Sequence, residues 1–254
     1  MNRLRRADGV TLSYQVHNPE GAGIPMLLSH GFGATSGMWD PNVAALSADR
    51  PVLVWDQRGH GSSDAPANSD HYGEDVSVAD MTAILDEVGF DRAVLCGMSL
   101  GGYLSLSFHA AHPERVAGLI MVDTGPGYRN DEARDKWNDW VQWYAGEIEK
   151  GDGPPGATAE YKQAVHEHPE ALPLAARTTL TQRDARVIKS LGGIAVPSVV
   201  IVGSLDTEYL VAADYMQRHI PQSHKVVIED AGHAANMDQP DVFNTAVREL
   251  LERL

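Results

Sequence analysis

The chain has 254 residues, 43% of them hydrophobic and 22% charged, enough apolar material to bury one large core or two small ones. Against 20 basic residues stand 35 acidic ones, and the net charge of −15 repels phosphate backbones and anionic headgroups, so nucleic acid and membrane are not expected partners. The one cysteine, Cys96, has no internal partner for a disulfide and excludes a multi-cysteine zinc site.

Met1 to Arg6 is basic, but Ala7-Asp8-Gly9 stands where the apolar part of a signal peptide would begin, so a cytoplasmic protein is expected. Asp8-Gly9 itself accepts the positive φ angles of a tight hairpin, with Arg3 to Ala7 and Val10 to Tyr14 as its arms. Short apolar runs follow: Met26 to Leu28, Val52 to Trp55, Ala93 to Cys96, Leu119 to Val122, Ser198 to Val202 and Lys225 to Ile228. Continuous runs of this length suit strands of a parallel sheet covered on both faces. The longest apolar stretches, such as Val116 to Val122, fall far short of the roughly 18 residues of a membrane span.

Between the runs lie helical patterns, with Val76, Ala79, Ala83, Ile84 and Val88 predicted on one face of a helix and a further helix over Tyr103 to Ala111. Strand and helix in alternation predict an α/β fold with right-handed crossovers. From about Gly125 to Leu191 the alternation stops. No strand pattern occurs there, and Gly151-Asp152-Gly153-Pro154-Pro155-Gly156 separates two helical patterns, which predicts a helical insertion over the sheet.

Gly97-Met98-Ser99-Leu100-Gly101-Gly102 lies between the run ending at Cys96 and the following helix, the strand–turn–helix setting of a G-x-S-x-G nucleophile turn. Crowding around such a turn leaves no room for side chains at 97 and 101. A serine needs a base, and among 11 histidines His233 is the one that follows the last strand, in Ala231-Gly232-His233. His30, His60, His109 and His112 read as packing or solvated histidines, with His30 bracing the adjacent Gly31-Phe32-Gly33 loop. The histidine in turn needs an acid. Asp206, beyond the run ending at Val202, fits the order serine, acid, histidine; Asp123 and Asp230 are its competitors, and Asp123 reads otherwise as a structural carboxylate. The backbone N–H groups of Leu100 and Phe32 are the candidate donors to an oxyanion.

Four segments, His30 to Gly33, Asp56 to Ser63, Gly97 to Gly102 and Gly232 to Pro240, together resemble the α/β-hydrolase fold family. The resemblance implies an eight-stranded, mostly parallel sheet flanked by helices, a core of residues 1–125 and 190–254, a helical cap over 126–189, and a triad of Ser99, Asp206 and His233. It also implies a structural role for Asp56 to Ser63. Haloalkane dehalogenases and epoxide hydrolases of the family carry aspartate at the Ser99 position and drop out. Carbon–carbon bond hydrolases usually place tryptophan after the histidine, where this chain has Ala234.

Gly37-Met38-Trp39-Asp40 and Gly232 to Asn236 are similar to 3-oxoadipate enol-lactonases, whose substrate carries a carboxylate. Arg177, Arg183 and Arg186 are candidate partners for such a group, ordinary surface arginines being the alternative. Trp137, Trp140 and Tyr144 recur at i, i+3 and i+7 with Val141 alongside, either as an apolar roof over Ser99 or as packing between insertion and sheet. Phe32 and Met98 are expected at the entrance.

The expected activity is hydrolysis of a small, largely apolar ester or lactone through a serine-bound acyl group. An acyltransferase or peroxide-using variant and a ligand-binding module that has no turnover remain the other readings. No cofactor or metal is predicted, since H-E-x-x-H is absent and the histidines are scattered; a homo-oligomer is left open.

Overall fold

A computed structural model describes residues 1–151, 153 and 156–254. The predicted strands form within a few residues of the hairpin arms and apolar runs: Asn2–Arg5 (β1), Thr11–His17 (β2), Met26–Ser29 (β3), Val52–Trp55 (β4), Ala93–Met98 (β5), Val116–Val122 (β6), Ser198–Gly203 (β7) and Ser223–Ile228 (β8). They make one eight-stranded sheet in the order β1-β2-β4-β3-β5-β6-β7-β8. The β1–β2 hairpin and the β2–β4 pair are antiparallel, and every later pairing is parallel. Gly9 takes φ +87° in the hairpin turn, as its lack of a side chain permits.

Alternation along each strand divides the core in two. Leu27, Leu53, Leu95, Leu119, Met121, Val200 and Val202 face one side, where they pack with Ile84 of α2 (Glu74–Glu87), Leu104 and Phe108 of α3 (Leu100–Ala111) and Met216 of α8 (Thr207–His219). Met26, Leu28, Val52, Val94, Cys96, Ile120, Val199 and Ile201 face the other. They meet Val43 of α1 (Asp40–Leu46) and Phe243, Val247 and Leu250 of α10 (Pro240–Leu251). Helix α2 exists as predicted, but its inner face runs through Val78, Met81, Ile84 and Leu85, and of the five residues expected there only Ile84 is buried. The error arises because small and β-branched residues at neighbouring positions support two overlapping stripes, and docking on α3 selected the one with Met81 and Leu85.

Between β6 and β7 the described residues form no strand, only short 3-10 turns and four helices: α4 (Asp131–Glu149), α5 (Ala159–Gln163), α6 (Leu172–Thr179) and α7 (Arg186–Ser190). Helix α4 packs on α6 through Ala145, Ile148, Leu172 and Ala176, a small core of its own. Asp152, Pro154 and Pro155 of the predicted Gly/Pro break lie outside the described residues. No helix among the described residues is long and apolar enough to cross a membrane.

Because β3 to β8 run in the same direction, the loops that follow β3, β5, β6, β7 and β8 gather along one edge of the sheet. His30 to Gly33, Ser99, Asp123, Asp206 and His233 all lie on that edge.

Candidate active site

Ser99 follows β5 with φ 50° and ψ −115°, a left-handed conformation that costs a non-glycine residue about 1–3 kcal/mol. Its neighbours hold it there. The Ser99 N–H donates to the Val122 carbonyl at 2.9 Å, and the Ser99 carbonyl accepts from the N–H groups of Gly102 and Tyr103 and from the Thr124 hydroxyl at 2.6 Å. A Cβ on Gly97 would stand 2.1 Å from the Gly101 carbonyl oxygen, and one on Gly101 2.1 Å from that of Ser29, so both positions require glycine as expected. The β3 loop lies directly against the turn: a Cβ on Gly31 would come within 3.3 Å of Ser99 Cβ and 2.6 Å of the Met98 sulfur. The N–H groups of Phe32 and Leu100 find no acceptor among the described residues.

His233 Nδ1 stands 2.7 Å from Asp206 Oδ2. A carboxylate only accepts, so Nδ1–H donates and Nε2 is left as the acceptor. Burial alone would depress the imidazole, but the Asp206 hydrogen bond and the charges of Asp206, Asp123 and Glu160 outweigh it, and the His233 pKa lies above its ordinary value. Asp230 is exposed. Asp123 is fully buried and meets backbone: Oδ1 accepts from Gly203 N–H at 2.8 Å and Oδ2 from Ala235 N–H at 3.0 Å. One carboxyl group thus ties the Asp206 loop to the His233 loop. Burial pushes its pKa up to about 7, against the lowering effect of these two bonds and of His233. Asn236, in the short helix α9 (Ala235–Asp238), anchors the His233 loop further by donating to the Met38 carbonyl and to Asn42 Oδ1.

Three residues at the site carry no mark in the sequence motifs. Tyr209, three residues past Asp206, holds its ring 4.9 Å from that of His233 at a tilt of 35° and has its hydroxyl beside the Ser99 hydroxyl, and burial pushes its pKa up. The i, i+3 spacing from the acid on α8 was the available signal. His166, from the stretch between β6 and β7, accepts from Gly61 N–H at 2.9 Å through Nδ1 and donates to the Gly33 carbonyl at 3.1 Å through Nε2. Glu160, on α5, is 95% buried, with nothing in its local sequence to suggest it.

Two chambers meet at Ser99. The larger, about 270 Å³, is lined by Phe32, Met98, Trp140, Tyr144, Glu160 and His233; the smaller, about 190 Å³, by Leu100, Tyr103, Tyr128 and Gln182. Trp137, Leu180, Glu208 and Tyr209 border both. Trp137, Trp140 and Tyr144 form a continuous row, with ring centroids 4.9 and 4.8 Å apart, and Phe32 follows at 5.9 Å. The row lines the chamber that Ser99 also lines, while Val141 alongside turns into the fully buried interior.

Arg177, Arg183 and Arg186 are not at the site. Arg177 pairs with Glu149, Arg183 with Asp75, and Arg186 with Asp75, Asp184 and Glu74, all away from Ser99. They are the solvated arginines of the plainer reading. His30 and His60 are both packing histidines: His30 Nε2 accepts from Gln57 N–H and His60 Nε2, a brace that the sequence does not mark, from Gly33 N–H, at 3.0 and 3.1 Å. Asp56 accepts from Ser36 N–H at 2.7 Å and Ser62 N–H at 3.0 Å, while Arg58 makes a two-pronged pair with Asp80. The Asp56 to Ser63 loop is thus tied to its surroundings by side-chain bonds.

Residues 24–172 match the alpha/beta hydrolase fold family. Similarity extends over 94% of the chain to 3-oxoadipate enol-lactonase 1 of Acinetobacter baylyi, 30% identical over 258 residues and covered to 92%. A pimeloyl-[acyl-carrier protein] methyl ester esterase of Aliivibrio salmonicida is also 30% identical, over 92% of this chain and 94% of its own. Among solved structures, a thermophilic esterase from Thermogutta terrifontis superposes with a TM-score of 0.81 at 27% identity, covering 100% of this chain and 99% of that one. With this fold and these relatives, the chain belongs to the α/β-hydrolase family.

Proposed function

We propose that this protein is a serine hydrolase that cleaves a small, largely apolar carboxylic ester by two-step acyl transfer. The observation that carries the reading is the 2.7 Å contact between Asp206 and His233, on the same strand edge as a serine held in a strained turn. His233 Nε2 takes the Ser99 proton as the hydroxyl attacks the carbonyl, and Asp206 stabilises the imidazolium. The Phe32 and Leu100 N–H groups receive the developing oxyanion, each worth about 3–4 kcal/mol in the transition state. His233 then protonates the departing alcohol. Water, activated by the same nitrogen, attacks the acyl-enzyme and releases the acid.

Two chambers on either side of Ser99 suit the two halves of an ester, and their size limits both halves to small groups. In this reading residues 126–189 act as a helical cap on a core of 1–125 and 190–254, with the aromatic row of α4 as the roof. Opening of an enol-lactone is the second reading, favoured by the 30% identity to an enol-lactonase along nearly the whole chain.

The test is hydrolysis of p-nitrophenyl esters from acetyl to long acyl chains, with an enol-lactone as challenger, by wild type and Ser99→Ala. Wild type is expected to prefer short acyl chains, and Ser99→Ala to lose at least about 10³-fold in kcat. Unchanged turnover by the alanine variant refutes the mechanism. Rapid lactone opening with feeble ester turnover favours the second reading, and binding without turnover favours a ligand-binding module.

A further inference from the structure

Glu160 is an anomaly for an apolar ester pocket. It is 95% buried on the wall of the larger chamber, its Oε1 accepts from the Thr158 hydroxyl, and its Oε2 has no hydrogen-bond partner. A carboxylate oxygen shut away from water with no donor is costly, so such a group persists where something else supplies the donor or the charge. Among the described residues that line either chamber there is no lysine or arginine. The other walls are aromatic: Trp137, Trp140 and Tyr144 in a row, the last two stacked, with Tyr209 beside Ser99 and the exposed carboxylate of Glu208 bordering both chambers.

An unpaired buried carboxylate among aromatic faces has the chemistry to receive a cation. The carboxylate accepts an N–H and neutralises the charge, and ring quadrupoles attract it where water is excluded. We propose that Glu160 is the specificity-determining residue of this site and that the substrate is an ester carrying a protonated amine, seated between Glu160 and the Trp140–Tyr144 wall. This deepens the hydrolase reading above and rests on it. It also separates this chain from the carboxylate-bearing substrates suggested by its resemblance to enol-lactonases: a carboxylate would meet Glu160 and Glu208 with no lysine or arginine among the described lining residues to hold it.

The experiment compares three acetate esters of similar shape. They are 2-(dimethylamino)ethyl acetate, which is cationic at pH 7 and has one N–H donor; 3-methylbutyl acetate, its neutral isostere; and an ester of a hydroxy acid, which carries a carboxylate. Wild type is expected to favour the cationic ester over the neutral one by about tenfold in kcat/KM and to disfavour the carboxylate ester. In Glu160→Gln the cationic-to-neutral ratio falls by about tenfold. A ratio cancels general effects of the substitution on folding or on the nucleophile. Equal rates for the cationic and neutral esters in wild type, or a ratio unchanged in Glu160→Gln, overturn the proposal.

Binding of the same cationic ester to Ser99→Ala, read by quenching of tryptophan fluorescence, separates this proposal from the hydrolase reading. If wild type hydrolyses none of the esters yet the cation binds Ser99→Ala and is lost on adding Glu160→Gln, hydrolysis fails and the cation site stands. Absence of binding that depends on Glu160 refutes the site.

Discussion

Ser99 and Asp123 are the two non-glycine residues on the site edge held at positive φ directly after a strand, at 50° and 44°. Each is locked by backbone hydrogen bonds, and each places its side chain where an extended residue could not. Their chemistry diverges because their partners differ: Ser99 lines both chambers with the Tyr209 hydroxyl beside its own, whereas both Asp123 oxygens are occupied by N–H groups. Asp206, by contrast, meets the imidazole. On the proposed mechanism, Asp206→Asn presents the wrong tautomer of His233 to the serine and lowers kcat by about 10³–10⁴-fold. The pH profile gives an independent check. The acid limb of kcat/KM in wild type should have its midpoint above 6.5, since only neutral His233 accepts the proton and its pKa is raised. Removal of the Asp206 charge shifts that midpoint down, and an unmoved limb would mean that another group titrates.

At the scale of elements, three loops meet through histidines. His30 after β3, His60 after β4 and His166 before α6 pack with ring centroids 5.1 and 5.7 Å apart, and each uses one ring nitrogen to accept a backbone N–H. Protonation removes that acceptor. Burial lowers all three pKa values, that of His30 to about 4 and that of His60 well below its ordinary value. In the unfolded chain these residues take protons near 6.5, so from there down to about 4 the unfolded state binds more protons and stability falls with pH. For His30 alone the full effect is about 3 kcal/mol. Asp123, raised to about 7, works in the opposite sense over the same range, and His233, also raised, does so only above 6.5, where the native state alone holds its proton. A single variant isolates the cluster: His166→Gln keeps an acceptor and a donor but does not titrate. Urea unfolding at pH 7.5 and pH 5 should show this variant gaining stability relative to wild type at the lower pH. A constant difference would remove His166 from the acid response.

For the whole molecule, the net charge of −15 and the acidic rim at Glu208 create a field that attracts cations to the site. If the substrate carries a protonated amine, kcat/KM for the cationic ester should fall at least about threefold as salt rises from roughly 10 to 300 mM, because the screening length shrinks over that range. The neutral isostere should respond little. Equal salt responses would show that the field does not steer the substrate.

Local pattern determined the strands and the nucleophile turn. Continuous apolar runs marked six of the strands, the Asp8-Gly9 turn marked the two of the hairpin, and Gly97 and Gly101 announced a crowded turn, because backbone sterics act over a few residues. That Ser99, Asp206 and His233 lie together was legible for the same reason: residues just beyond parallel strands share an edge whatever the packing above them. Tertiary contact decided the rest. Which stripe of α2 is buried depended on what it packs against, and the placement of Arg177, Arg183 and Arg186 depended on acidic partners, the most distant of them more than a hundred residues away in the chain. Tyr209, His166 and Glu160 reach the site from helices and loops whose local sequence names no neighbour. Burial, and with it the unpaired oxygen of Glu160 and the depressed histidines, arises only when distant segments exclude water together, which no spacing along the chain encodes.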